Sequence, residues 1–276
     1  MRRLFHENIY GIFAFAICKG NLRQSRKSMR SVVQPMSVGQ PELSVVIPFY
    51  NEAANVVPLL IELREVLVSL GVSTEVICID DGSRDATAAE LAVVANRWSD
   101  IRIERFAQNR GQAEALRCGF RFARGAWIAM LDGDGQNPPA ELARLWAERA
   151  SADMICGSRT DRQDSSLRLM MSRVANIVRR AFLQDDVTDT GCSLKLFRRE
   201  VATSFLPIGT MYSFLPAFAG AAGFTVREVP VAHRPRRAGE SKYGLGAMAI
   251  RPMLDLLAVA WHLRRRRSQK RPSSRT

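Results

Sequence analysis

From Leu43 onward the chain alternates short, nearly uninterrupted apolar runs with longer stretches whose apolar residues recur at helical spacing. The runs at 43–47, 75–79, 127–131 and 154–156 are rich in Val, Ile, Leu and Met, and 101–106 reads as the third strand of the series. Such runs suit strands buried on both faces of a parallel sheet. Between them the helical period runs over 52–70, stopped by Gly71, over 86–98, and over 111–124, stopped by Gly125. Pro138 and Pro139 suit the first turn of a further helix to residue 150. This alternation predicts an α/β fold, a doubly wound sheet flanked by helices. After Gly157 the rhythm changes: the stretch to residue 199 reads richer in basic helix than in strand, 224–232 reads as one more strand, and 245–263 as a mostly apolar helix. With no internal repeat and no long linker, the pattern predicts one domain with tails.

Composition supports a globular body, since 276 residues with 47% hydrophobic content are ample for a buried core. The net charge of +13 changes the picture only once it is located. Residues 1–40 hold seven Lys/Arg and one acid, residues 264–276 hold seven Lys/Arg and no acid, and 41–263 carries 26 of each sign. A neutral body argues against a nucleic-acid partner, and basic ends suit an anionic membrane surface, with room for a membrane-protein partner. Residues 1–40 read as a basic extension, either a disordered or membrane-touching tail or a run upstream of a true start at Met29 or Met36. A signal peptide is discounted because its apolar part, 9–18, is short and export would part the protein from cytoplasmic substrates. No run reaches eighteen apolar residues, which predicts a peripheral protein at the cytoplasmic face of the membrane without a transmembrane helix. The 245–263 helix followed by Arg264 to Arg267 reads either as an interfacial helix or as a core helix with a solvated basic tail. Cys18, Cys78, Cys118, Cys156 and Cys192 are scattered and odd in number, so neither a zinc site nor a disulfide framework is suggested, and the compartment reads as reducing. Cys78 and Cys156 lie inside apolar runs as small core residues.

Candidate chemistry sits where the runs end. Asp80-Asp81-Gly82-Ser83 closes the second run and Asp132-Gly133-Asp134 the fourth, so both deliver carboxylates to the carboxyl edge of the sheet, where open α/β folds bind ligands. Clustered carboxylates there want a cation between them, and hard oxygen ligands suit Mg²⁺ or Mn²⁺ carrying a diphosphate. Gln136 would add a neutral oxygen, and Gly133 and Gly135 let the backbone turn. The plainer reading of the pair Asp132 and Asp134 is an acidic turn or cap. The same holds for Asp80 and Asp81, with Ser83 or Asp85 as the capping side chain. Pro48-Phe49-Tyr50-Asn51-Glu52 ends the first run and brings an aromatic face and another carboxylate to that edge.

Taken in order, VVIPFYNE (45–52), IDDGS (79–83), LDGDGQNPP (131–139), GSR (157–159), TDTGCSLKLFRRE (188–200) and RRAGESKYG (236–244) resemble the serial motifs of family 2 glycosyltransferases. Their spacing is most similar to the dolichol-phosphate mannose synthase type and its bacterial polyprenyl-phosphate sugar transferase relatives. The resemblance implies a GT-A fold over residues 41–244, a divalent metal, Mg²⁺ or Mn²⁺, and inversion at the anomeric carbon, and it leaves 245–276 as the amphipathic helix and polybasic tail read from the residues themselves. It implies that Pro48, Tyr50, Glu52, Ile79 and Asp81 hold the nucleoside, and that Asp132, Asp134 and Gln136 hold metal and diphosphate. By the same resemblance Arg159, Arg236 and Lys242 contact phosphates, the last two from a loop around residues 239–241, and Arg168, Ser172 and Arg173 receive an acceptor phosphate. Gly133 in place of the usual Ala, and Cys192 in place of the commoner Phe or Ser, depart from the pattern at the sugar pocket.

The chemistry expected is transfer of a hexose from GDP-mannose or a UDP-sugar to a polyprenyl or dolichyl phosphate. Arg and Lys donors aimed at the departing diphosphate would lower the barrier electrostatically. A phosphate acceptor, with a second pKa of about 6, needs a cationic cradle more than a strong base. The alternative within the family is transfer to a polysaccharide or other hydroxyl in envelope biosynthesis, which needs a carboxylate base. Asp189 is the candidate for orienting or deprotonating the acceptor, or is a cap before a Gly turn, whereas His233 reads as a structural histidine.

Overall fold

The computed structural model describes residues 30–32, 39–160, 179, 183, 187–235, 255–261 and 263. Among them the strands are β1 (Arg30–Val32), β2 (Leu43–Phe49), β3 (Thr74–Asp80), β4 (Ile101–Arg105), β5 (Trp127–Met130), β6 (Met154–Arg159), β7 (Lys195–Arg198) and β8 (Val226–Val231). The helices are α1 (Ala53–Leu70), α2 (Thr87–Ala95), α3 (Gln112–Phe122), α4 (Ala140–Ala147) and α5 (Leu215–Ala222), with further helical residues at 255–261. The strands form one mixed sheet in the order β1-β4-β3-β2-β5-β7-β6-β8. β4, β3, β2 and β5 run parallel, and their carboxyl ends share one edge.

The uninterrupted apolar character of the runs has a simple cause: both faces are covered. Val45 and Ile47 of β2 pack with Leu59 and Leu63 of α1, Leu91 of α2 and Leu142 of α4. Val46, between them in sequence, points to the other face with Leu116 of α3 and Leu215 and Phe218 of α5. Gly119 of α3 lets that helix approach closely, because a Cβ there would lie 2.2 Å from Val46 Cγ1. Cys78, Cys118, Cys156 and Cys192 are buried and form no disulfide among the described residues, and burial pushes the Cys118 thiol up to about 11.

Three expectations are corrected. The first concerns the stretch after Gly157: its described residues include β7, inserted antiparallel between β5 and β6, a strand the pattern did not place. Lys195 masks it in the sequence; its side chain is buried and its ammonium donates to the carbonyls of Thr190 and Cys192. Second, β6 continues to Arg159 because β8 pairs with it in parallel as far as Arg159 and Val231. Third, α2 and α4 end at Ala95 and Ala147, before 98 and 150, because the backbone tightens there: Arg97 N–H bonds to Val94 O and Arg149 N–H to Trp146 O, both i to i−3. Of the helix expected over 245–263, only 255–261 and 263 fall within the described residues. No helix among the described residues is long and apolar enough to cross a membrane.

Candidate active site

The loops that leave β2 and β3 are laced together before they reach the cleft. Asp81 N–H donates to Phe49 O at 2.8 Å, Asn51 N–H to Ser83 Oγ at 3.0 Å, and Arg84 N–H to Asn51 Oδ1 at 2.8 Å. Asn51 sits at φ +52, a left-handed conformation that Asn tolerates. The first turn of α1 has no cap of its own. Its N–H groups are instead met from the neighbouring loop, Glu52 N–H by Thr87 Oγ1 at 2.8 Å and Ala53 N–H by Asp85 Oδ2 at 3.2 Å. Asp85 therefore caps two helices, accepting from Ala53 N–H of α1 and, at 3.0 Å, from Thr87 N–H of α2, while Ser83 ties down the turn just before α1.

The two aspartates at the end of β3 divide the work. Asp80 is fully buried, accepts from Ser83 N–H at 2.9 Å and pairs with Arg105 Nε at 3.0 Å, which makes it structural. Asp81 lies on the cleft wall and binds the loop opposite: its carboxylate accepts from Arg110 N–H at 2.7 Å, Gly111 N–H at 2.9 Å and Asn109 Nδ2 at 2.9 Å. Burial pushes the Asp81 carboxyl above its ordinary range, and the two backbone N–H groups partly offset this. A carboxylate has about four lone-pair directions, so the loop takes most of them and little remains for a ligand.

The cleft enclosed by these strand ends has a volume of about 440 Å³. β2 and the turn after it contribute Pro48, Tyr50 and Glu52, the loop after β4 and the start of α3 contribute Asn109, Gly111 and Gln112, and the turn after β5 contributes Asp132, Gly133 and Asp134. Gln112 Nε2 donates to Asp132 Oδ1 at 2.6 Å, and Gln136 N–H to Asp134 Oδ1 at 3.1 Å. Gly133 has no room for a side chain, since a Cβ would lie 2.5 Å from Phe49 Cδ1 and 2.8 Å from Pro48 O. The turn is gripped from outside by Arg234, which donates to Gly135 O at 2.7 Å and makes a two-pronged pair with Glu62 of α1 at 2.7 and 3.1 Å. Asn137, just past it, donates to Ser193 Oγ at 2.6 Å.

Among the described residues no three His, Cys, Asp or Glu side chains converge closely enough to hold a metal ion by themselves. The donors present are two carboxylates one residue apart, Asp132 and Asp134, in a cleft large enough for a diphosphate. That set fits a hard divalent cation which takes its remaining ligands from substrate phosphates and water, the usual pattern for Mg²⁺.

Of the residues anticipated from sequence, Pro48, Tyr50, Glu52, Asp81, Asp132, Gly133 and Asp134 converge on the cleft. Ile79 does not; it is fully buried in the core on the α3 side of the sheet. Gln136 is not among the cleft walls, and its backbone carbonyl accepts from Arg234 N–H at 3.0 Å. Arg159 and Asp189 meet each other: Nε to Oδ2 at 2.7 Å, Nη2 to Oδ1 at 2.8 Å and Arg159 N–H to Oδ2 at 3.1 Å. Glu228 holds the backbone N–H of Asp189 at 2.9 Å, and a Cβ on Gly191 would press to 2.8 Å from Arg159 Nη2. Arg168, Ser172, Arg173, Arg236 and Lys242 lie outside the described residues. Sequence reasoning missed Asn109, Gly111 and Gln112. The available signal was positional, a polar Gly-containing stretch directly after a third parallel strand, hence at the same edge.

A carboxylate-rich cleft at the carboxyl edge of a doubly wound sheet, closed by one antiparallel insertion, defines a GT-A glycosyltransferase. The chain belongs to glycosyl transferase family 2, whose model matches residues 44–205. It is 34% identical over 247 residues to a dodecaprenyl-phosphate galacturonate synthase of Rhizobium johnstonii, covering 86% of this chain and 73% of that one. It is 37% identical over 218 residues to an undecaprenyl-phosphate 4-deoxy-4-formamido-L-arabinose transferase of Pseudomonas aeruginosa, covering 78% of this chain and 64% of the relative. The chain thus spans a little under two thirds of the latter's length. Among solved structures, the glucosyl-3-phosphoglycerate synthase of Mycobacterium tuberculosis with Mn²⁺, UDP and phosphoglyceric acid superposes with a TM-score of 0.64 at 20% identity, covering 80% of this chain and 78% of that one. A mannosyltransferase of Pyrobaculum calidifontis with GDP-Man and Mn²⁺ gives 0.60 at 20% identity, covering 91% and 73%.

Proposed function

We propose that this glycosyltransferase moves a sugar, with inversion, from a GDP- or UDP-sugar to a polyprenyl phosphate at the cytoplasmic face of the membrane, using Mg²⁺ or Mn²⁺. The observation that carries the reading is the Asp132-Gly133-Asp134 turn on the wall of the cleft that Asp81, Glu52 and Gln112 share. Support for the acceptor comes from relatives named for dodecaprenyl and undecaprenyl phosphate. When bound, the divalent ion would neutralise the charge that develops on the departing diphosphate.

The chain's own residues would do the rest. Asp132 and Asp134 hold the cation side of the diphosphate, with Gln112 fixing the orientation of Asp132. Tyr50 and Pro48 give the nucleoside a flat apolar wall, and Gly133 lets the acidic turn pack directly on Phe49 and Pro48. Arg236 and Lys242 would meet the phosphates from the segment that begins directly after Arg234, whose backbone is tied to the acidic turn. Arg168, Ser172 and Arg173 would cradle the acceptor phosphate, which is ionised enough at neutral pH to attack without a strong base. Arg159, locked to Asp189, would support that cradle electrostatically.

The test is incubation of the purified protein with undecaprenyl phosphate, Mn²⁺ or Mg²⁺ and a panel of GDP- and UDP-sugars. A lipid-linked sugar from at least one donor is expected, and Asp132→Asn should lower turnover by about a hundredfold or more, the scale of losing one electrostatic stabiliser. No lipid-linked product from any donor, with the protein folded, defeats the reading.

A further inference from the structure

The helical residues 255–261 present two apolar sides. Leu256, Val259, Ala260 and Leu263 are buried against Met211, Phe214 and Leu215, and Asp255 Oδ2 accepts from Thr210 Oγ1 at 2.6 Å, so the segment is fixed to the body. Its other side exposes Leu257 at 49% and Trp261 at 64%, one helical turn apart, with exposed Ala258 between them. A helix packed on a core and facing water carries polar residues on its outer side. Here the stretch 256–261 holds no polar residue at all. The other three tryptophans, Trp98, Trp127 and Trp146, are each less than 9% exposed. Directly after Leu263 come Arg264 to Arg267, and residues 264–276 contain seven Lys/Arg and no acid.

We propose that this helix docks the protein on an anionic bilayer, with Leu257 and Trp261 entering the headgroup boundary and the arginine run meeting lipid phosphates. Charge complementarity favours this occupant: an acid-free cationic run beside an exposed Trp and Leu matches a negatively charged interface, where indole rings settle. The described residues 255–261 span about 10 Å at 1.5 Å per residue, and no helix among the described residues is long and apolar enough to cross a bilayer. Leu183 is buried in the same cluster as Leu256 and Val259 and belongs to the stretch that carries Arg168, Ser172 and Arg173. The inference deepens the proposed lipid acceptor while standing on separate observations.

The test uses the full chain and vesicles without polyprenyl phosphate, so its outcome is independent of transfer chemistry. With phosphatidylglycerol/phosphatidylcholine vesicles, co-sedimentation and a blue shift of tryptophan emission are expected, because Trp261 is the exposed indole. Binding should fall at least tenfold on pure phosphatidylcholine and weaken with added salt. The double variant Leu257→Ser, Trp261→Ser should lose at least tenfold in co-sedimentation while keeping its circular dichroism spectrum and its activity on a detergent-dispersed short prenyl phosphate. Retained binding by that variant, equal binding to neutral vesicles, or an emission spectrum unmoved by vesicles overturns the proposal. So does a wild-type dimer that the double variant dissolves in the absence of any lipid affinity, which would assign the face to a second copy.

Discussion

At the scale of single residues, the pairing of Arg159 with Asp189 bears on the choice between the two acceptor chemistries. A general base needs an oxygen directed at the proton it removes, whereas both Asp189 oxygens accept from Arg159, at 2.7 and 2.8 Å. Held in that way, Asp189 would act as a positioning residue that aims a guanidinium. We expect Asp189→Asn to slow transfer to a phosphate acceptor by less than about a hundredfold and to leave the acidic limb of the pH–rate profile in place. A base contributes about a hundred- to ten-thousandfold, so a loss of that size with the acidic limb gone would restore the hydroxyl-acceptor reading. Much of the cleft could be anticipated in the sequence because Asp81, Asp132 and Asp134 are charged groups at the ends of buried runs, where little but function explains them. Asn109, Gly111 and Gln112 carried no such mark. Ile79 was misplaced for the opposite reason: its neighbours in the motif line the cleft, but alternation along β3 turns it into the core.

At the scale of elements, the acidic turn belongs to more than the strand it follows. Arg234 at the end of β8 binds Gly135 O and Glu62, and so fastens β8, the turn and α1 together across large sequence separations. These links cannot be read from local pattern, because Arg234 and Glu62 look like ordinary surface charges until the fold brings them within 2.7 Å. Parallel strands covered on both faces do announce themselves, while β7 does not, since Lys195 breaks its apolar pattern and is accommodated only by carbonyls of the preceding turn. Arg234→Ala should therefore reach the site without touching substrate. We expect destabilisation of about 1–3 kcal/mol from the lost charge-assisted hydrogen bonds, and a donor KM raised more than kcat is lowered. Arg234→Lys should recover little, because a point charge cannot reproduce the two-pronged contact. Thermal denaturation reads the first effect and steady-state kinetics with varied donor at fixed Mn²⁺ the second, and an unchanged donor KM would leave Arg234 a stabiliser of the body alone.

At the scale of the whole molecule, charge is partitioned: the body from 41 to 263 is balanced, and the excess lies in the two ends. Acid stability should then follow the body's carboxylates, and these divide by environment. Asp153, at the start of β6, accepts from Thr225 N–H at 2.9 Å and Thr225 Oγ1 at 2.8 Å and pairs with Arg198 of β7 at 3.2 Å, joining the sheet's last three strands at one end. The backbone N–H of Thr225, then its hydroxyl, hold the Asp153 carboxyl below the ordinary range. A group lowered on folding contributes stability that is present above its unfolded pKa and is lost as pH falls through its folded pKa. Asp81, raised chiefly by burial, acts in the opposite sense: its contribution is present below its unfolded pKa and is lost as pH rises through its folded pKa. Urea midpoints measured from neutral to strongly acid pH should show a falling acid limb in the wild type. Asp153→Asn, which keeps an acceptor for Thr225 but has no charge to titrate, should start lower at neutral pH and fall less steeply on acidification. Parallel curves for the two proteins would show that the end of the sheet does not depend on that charge, and would shift the acid sensitivity to other carboxylates of the body.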